Sequence, residues 1–345
     1  MAVTIVVGGQ FGSEGKGKVA HFLARSRATA AVVRVGGSNS GHTAIADDGG
    51  PRILRQLPTA ALLPDVLCVL PPGAYIDVPL LLDEIARLNL SANRLLIDPK
   101  AMIITAAEAE AEQTAGLPQR IGSTGSGTGA AVARRARRER REDLAGSVPE
   151  LRPYLTDTTP VLRDLVSDDQ RVIVEGTQGF GLSLLHGPHF PYATSRDTTA
   201  SAALSEAGLS PLDVDDVVLV VRALPIRVAG NSGPFGAEEI DWLTVAEEGG
   251  HVQPVAEYTS VTRRVRRVAR FDPDLVRRAI AVNRPSCLVL NHVDLIDATA
   301  AAGCLTPRAT AFVDWVSDSV GHGIDLIGVG PDLLVPAGAH EAVPA

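Results

Sequence analysis

The stretch that decides the fold is VTIVVGGQFGSEGKGKVAHFLARS, Val3 to Ser26. It opens on a continuous apolar run, which reads as a strand covered on both faces, crosses a glycine-rich loop, and closes on the helical pattern of KGKVAHFLARS. The loop GGQFGSEGKGK has the composition of a phosphate-binding loop without the Walker spacing, because no Ser or Thr follows either lysine. Gly12, Gly15 and Gly17 let backbone N–H groups approach an anion, the helix start adds its dipole, and Lys16 or Lys18 supplies a compact positive charge.

Outward from this unit, apolar runs recur in AAVVRVGG, DVLCVLPPG, RLLID, RVIVEG, DDVVLVVRALP and SCLVLNHVD, with a helical pattern in TAAEAEAEQTAG that closes at Gly116. A βαβ series of this kind predicts an α/β fold: a mainly parallel central sheet, helices on both faces, and a modified P-loop after the first strand. The net charge of −8 argues against a general nucleic-acid or membrane-surface partner, which wants a basic face. No apolar run approaches the length of a membrane span, so the expected location is cytoplasmic. Cys68, Cys287 and Cys304 are widely spaced and match no metal-ligand pattern, as expected of reduced thiols. The run ARRARRERRED, Ala133 to Asp143, reads as a solvated helix face or a basic binding element.

Three further loops follow apolar runs. VGGSNSGHT presents Asn39, His42 and Thr43 among glycines, at the sheet edge where open α/β folds bind ligands. IGSTGSGTGAA alternates glycine with hydroxyls at Ser123 and Thr124, and VEGTQGFG puts Gln178 just past a strand. Hydroxyls and a side-chain amide suit a phosphate and the edge of a base. YATSRDTTASAA adds Thr194, Thr198 and Thr199.

In order, the motifs GGQFGSEGKGK, GGSNSGHT, IGSTGSGTG, EGTQG, HGPHFPYATSRDTT, RVAGNSGPF, SVTRRVRR, NHVD and GVGPDLL resemble those of the adenylosuccinate synthetase family. The resemblance spans nearly the whole chain and implies one domain over 1–345. It also implies a ligase acting in two steps: O6 of a purine 6-oxo nucleotide takes the γ-phosphoryl group of a nucleoside triphosphate, and the amino group of L-aspartate then displaces it. By family position, Lys16 and the loop from Gly12 through Ser13, Glu14, Gly15 and Gly17 to Lys18 hold the triphosphate with Gly41, His42 and Thr43. Asn291, His292, Asp294, Gly328 and Gly330 face the donor base. Mg²⁺ falls to Ser13 and the Gly41 carbonyl, and His42 is the acid. Ser13, Asn39, Ser123, Thr124, Gln178, Thr194 and Val228 hold the nucleotide monophosphate, joined by an arginine near Arg138 donated across a homodimer. Val261, Thr262, Arg264 and Arg266 hold aspartate, a task suited to the guanidinium fork.

Departures from the family pattern sharpen the expectation. Ser13 stands where the family has the aspartate that takes the N1 proton of IMP and touches Mg²⁺. A serine is a poor base, but position 2 of the purine lies beside N1, so a small neutral side chain admits a 2-amino group. The chain is then most like the phage-associated subgroup that makes N6-succino-2-amino-2′-deoxyadenylate from dGMP on the way to 2-aminoadenine DNA. The alternatives are an ordinary IMP- and GTP-using synthetase, and a nucleotide-binding regulator that has lost catalysis. His292 replaces the lysine of T-K-x-D and Leu333 a customary arginine, which opens the donor site to ATP or dATP as well as GTP. Arg263 in place of glycine has no explanation in the sequence.

Overall fold

A computed structural model describes residues 2–138, 143–259, 264–300 and 305–338. Its centre is set by the apolar runs. On the strand Val3–Gly8 (β1), Ile5 and Val7 enter one buried cluster and Val6 another on the opposite face, the period-two alternation of a strand covered on both sides. The same division holds at Val33 against Val32 and at Leu219 against Val220.

The strands in chain order are β1, Thr29–Arg34 (β2), His42–Ile45 (β3), Pro51–Leu54 (β4), Leu67–Leu70 (β5), Tyr75–Asp77 (β6), Leu95–Ile97 (β7) and Met102–Ile104 (β8). They continue with Arg171–Glu175 (β9), Val214–Arg222 (β10), Ile226–Arg227 (β11), Glu239–Ile240 (β12), Arg267–Ala269 (β13), Cys287–Asn291 (β14), Leu326–Val329 (β15) and Leu333–Pro336 (β16). Nine of them form one sheet in the order β16-β15-β14-β10-β1-β9-β2-β5-β7. Every pairing in it is parallel except β15 with β16. All seven runs read as strands lie in this sheet, as expected from their apolar continuity. A three-stranded antiparallel sheet, β11-β13-β12, and the hairpin β3-β4 stand beside it.

The helix Lys16–Ser26 (α1) packs on the face that holds Val6, burying Val19, Ala20 and Leu23. On the other face lie Thr158–Ser167 (α2), Ala200–Ala207 (α3), Pro273–Asn283 (α4) and Pro307–Val320 (α5), through Leu162, Leu204, Val276 and Val316. The expected helix in TAAEAEAEQTAG spans Ala106–Thr114, held by a capping box of Thr105 and Glu108, and Gly116 follows with φ +64°. Cys68 and Cys287 are free thiols, and Cys304 lies outside the described residues. Among the described residues no helix is long and apolar enough to cross a membrane.

Candidate functional site

The carboxyl ends of β1, β2, β9 and β14 open onto a cleft of about 970 Å³. Parallel strands deliver their following loops to one edge, which is why segments far apart in sequence share a wall. At the end of β1 the chain turns through left-handed backbone at Gly12 (φ +88°), Ser13 (+57°) and Gly15 (+92°). Glycine makes the first and third turns cheap, whereas Ser13 adopts a conformation that most side chains avoid. Gln178 (+64°) and His292 (+62°), past β9 and β14, do the same, so three polar residues in disfavoured backbone line one cleft.

Part of the loop's donor set is engaged internally. Glu14 is fully buried, and its carboxylate accepts from the amides of Gln10 (3.1 Å) and Gly12 (2.8 Å) and from Lys16 Nζ (2.6 Å). Gly8 and Gly179 leave it room, since a Cβ at either would fall within 2.5 Å of its oxygens. Glu14 therefore does not line the cleft, while Gly12, Ser13, Gly15, Lys16, Gly17 and Lys18 do. Lys16 is thereby held in an ion pair inside the loop.

Gly41, His42, Thr43 and Asn39 also line the cleft. His42, expected on a loop, instead opens strand β3, whose pairing with β4 fixes its backbone. Its Nδ1 lies 2.5 Å from Glu175, which also takes Arg34 (2.7 Å) and both the amide and hydroxyl of Thr59. Burial, with the Arg34 and Lys16 charges, pushes the imidazole down to about 4 against the pull of Glu175. A neutral ring donating Nδ1–H to Glu175 presents its Nε2 lone pair, which is buried without a hydrogen-bonding partner among the described residues. Sequence reasoning missed Glu175 and Arg34. The available signal was a charged residue closing an otherwise apolar strand, in RVIVE and TAAVVR.

Ser123 and Thr124 reach the cleft from the loop before the helix Thr128–Arg137, with Gln178, Thr194 and Val228 opposite. The unpredicted Glu112 organises that loop: its carboxylate accepts from the amides of Gly127 (3.1 Å), Gly129 (2.8 Å) and Ala130 (3.2 Å). Thr198 and Thr199 prove structural, bonded to the Gly179 carbonyl and capping α3. Arg138 ends its helix exposed, with φ +59°, and does not line the cleft.

Arg264 and Arg266 line the cleft, whereas Val261, Thr262 and Arg263 lie outside the described residues. At the far end, Lys18 Nζ donates to the Gly330 carbonyl (2.9 Å), and burial lowers this ammonium to about 8 against the pull of Asp294 and Asp332. Gly330 and His292 line the cleft, but Asn291, Asp294 and Gly328 do not. Asn291 ties the floor together by donating to the Glu14 carbonyl (2.8 Å), and Asp294 accepts from the Gly330 amide (3.1 Å). Burial and the Arg222 charge hold His292 below its ordinary value, so a neutral ring stands where the family pattern has a cation.

A glycine-rich loop feeding a helix, a buried histidine–glutamate pair and a wall of hydroxyls and arginines have the make-up of a nucleotide-binding site on a parallel sheet. The family is fixed by comparison: the adenylosuccinate synthetase model matches residues 5–147 and 139–303, and the chain belongs to that family of carbon–nitrogen ligases. Adenylosuccinate synthetases from Archaeoglobus fulgidus and Thermococcus onnurineus are 34% and 36% identical to it, over 96% and 95% of this chain and 97% and 96% of theirs. Among solved structures, cyanophage S-2L succinoaminodeoxyadenylate synthetase, bound to dGMP and to dATP as an energy donor, is 27% identical. It superposes with a TM-score of 0.83 over 97% of this chain and 95% of its own. Adenylosuccinate synthetase from Plasmodium falciparum, 20% identical, shares the fold with the same TM-score, over 97% of this chain and 100% of its own.

Proposed function

We propose that the protein joins L-aspartate to C6 of dGMP through a 6-phosphoryl intermediate, with hydrolysis of a nucleoside triphosphate. The product is N6-succino-2-amino-2′-deoxyadenylate, for 2-aminoadenine DNA. The observation that carries this is Ser13, exposed on the cleft wall where the family has an aspartate, within a set of phosphate motifs that otherwise match the family's. The dGMP-bound cyanophage neighbour supports the same acceptor.

Phosphoryl transfer asks for positioning and charge neutralisation rather than covalent help. The loop amides and Lys16, once released from Glu14, receive the triphosphate. His42, oriented by Glu175, faces the group in transit. Ser123, Thr124, Gln178 and Thr194 hold the monophosphate with Asn39 and Val228, and Arg264 and Arg266 take the aspartate carboxylates together with Val261 and Thr262. Mg²⁺ fits as an ion shared with the triphosphate. Ser13 and the Gly41 carbonyl are hard oxygen donors on the cleft wall, and no cluster of three His, Cys, Asp or Glu stands ready as a protein-only site among the described residues. When bound, it neutralises charge on the donor phosphates. The exposed Arg138, outside its own cleft, suits donation to a second copy in a homodimer.

For the donor, neutral His292 and the engagement of Asp294 with Gly330 favour ATP or dATP over GTP, as in the dATP-bound neighbour. An ordinary IMP enzyme is the second reading, favoured by the names of the relatives at 34–36% identity. The test is product formation with aspartate, Mg²⁺ and each pairing of IMP, GMP or dGMP with GTP, ATP or dATP. The expected result is succinylation of dGMP with an adenine donor. Preference for IMP establishes the second reading, and inactivity with every pair overturns both enzyme readings in favour of the regulator.

A further inference from the structure

Arg222 closes β10, and its side chain is fully buried, yet no expectation from the sequence gave it a task. Every arm of it is used. Nε donates to the Leu224 carbonyl (2.6 Å), Nη1 to the Ser13 carbonyl (2.9 Å), and Nη1 and Nη2 together grip Glu257, Nη1 at 3.2 Å from Oε2. Its backbone is paired both ways with the Gln10 side chain, at 2.9 and 3.1 Å. The guanidinium thus holds the loop that turns through left-handed backbone at Ser13.

Glu257 carries the other half. Its carbonyl accepts from the Arg266 amide (2.8 Å), and two residues on, Thr259 pairs with Arg264 both through its amide (2.9 Å) and through its hydroxyl (3.0 Å). Residues 257–259 and 264–266 are therefore paired antiparallel, and the second segment bears the arginines assigned to aspartate. Burial raises the Glu257 carboxyl, but the Arg222 guanidinium, with Arg266 beside it, brings it down to about 2, so it is ionised between two guanidiniums.

We propose that Arg222 and Glu257 are positioning residues that lock the paired segments 257–259 and 264–266, which bear the aspartate-binding arginines, to the carbonyl of Ser13, so that the acceptor-base site and the amino-acid site are held in one geometry. Neither touches the reacting atoms; each acts through others, Arg222 on Ser13 and Glu257 on Arg264 and Arg266. A bidentate guanidinium–carboxylate pair suits this role because it fixes orientation as well as distance. The inference rests on the assignment of Ser13 and the two arginines above.

The test uses Glu257→Gln, which keeps the shape of a half-buried side chain while removing the charge, and Arg222→Lys, which cannot serve the Ser13 carbonyl and both carboxylate oxygens at once. The expected result for both is a KM for aspartate raised about tenfold or more, together with a changed dGMP-to-IMP ratio of kcat/KM. A folded Glu257→Gln enzyme with aspartate KM within about twofold of wild type and an unchanged ratio overturns the proposal, even if Arg222→Lys fails to fold. If the wild type prefers IMP, the acceptor assignment falls, and the aspartate KM measured with IMP still decides the fate of the pair.

Discussion

The floor and the rim of the cleft are built on different principles. At the floor, where β1, β2, β9 and β14 end, buried charges are matched within the chain: Glu14 with Lys16, and Glu175 with His42 and Arg34. At the rim, Thr124 and Arg264 are exposed, and Gly125 and Gly127 leave the hydroxyl loop in left-handed turns. A buried charge without a partner costs several kcal/mol, so a floor of buried charges must be complete before substrate arrives, whereas a rim facing water can wait for it. Floor residues should therefore report on fold and chemistry together, and rim residues on binding alone.

The largest expected effect tests the floor directly. Lys16→Ala and His42→Ala should each lower kcat by at least about a thousandfold, measured at saturating substrates, while circular dichroism stays native. Near-normal kcat in either would remove that residue from the chemistry.

Next in size is Glu175→Gln against Arg264→Ala. The first leaves Arg34 buried beside a neutral amide and should cost about 3 kcal/mol in stability by denaturant titration. The second should stay within about 0.5 kcal/mol of wild type while raising the KM for aspartate. Equal destabilisation by both would erase the distinction between floor and rim.

Ser13, exposed on the cleft wall, is the residue proposed to set selectivity, so its replacement should move a ratio. A site built around a polar substituent leaves a buried partner unpaired when the substituent is missing, worth about 1–3 kcal/mol, or one to two decades in kcat/KM. The wild type should favour dGMP over IMP by about that much, and Ser13→Asp should shift the ratio toward IMP.

The smallest effect lies behind the cleft. Burial raises the Glu206 carboxyl on α3 to about 7, with Asp197 adding to the rise and Arg196 and Arg135 opposing it. The folded state then binds a proton that the unfolded state releases near pH 4.5, so the stability this group contributes is lost as pH rises from about 4.5 to about 7. Melting scans should show Tm falling by about 1–3 °C over that window, and Glu206→Gln should flatten the fall.

By itself, the sequence determined what depends on neighbours along the chain. Seven apolar runs became strands of one parallel sheet because a side chain's face alternates with every residue, and the glycine–lysine loop after β1 carried its phosphate chemistry in its own composition. His42 and Gln178 stood in the sequence as polar residues on motifs next to strand ends, whereas Ser123 follows a short helix and Arg264 was marked only by the family resemblance; all four line the cleft. What only the tertiary structure decided is which charges meet. Glu175 lies 133 residues from His42, and Arg222 lies 209 from Ser13; each pair exists because the sheet places β9 beside β2 and β10 beside β1. No local pattern contains that order. The same cause set Thr198 against the Gly179 carbonyl, nineteen residues away, whereas Glu14 and Thr199 bond to groups two to four residues off within their own loops.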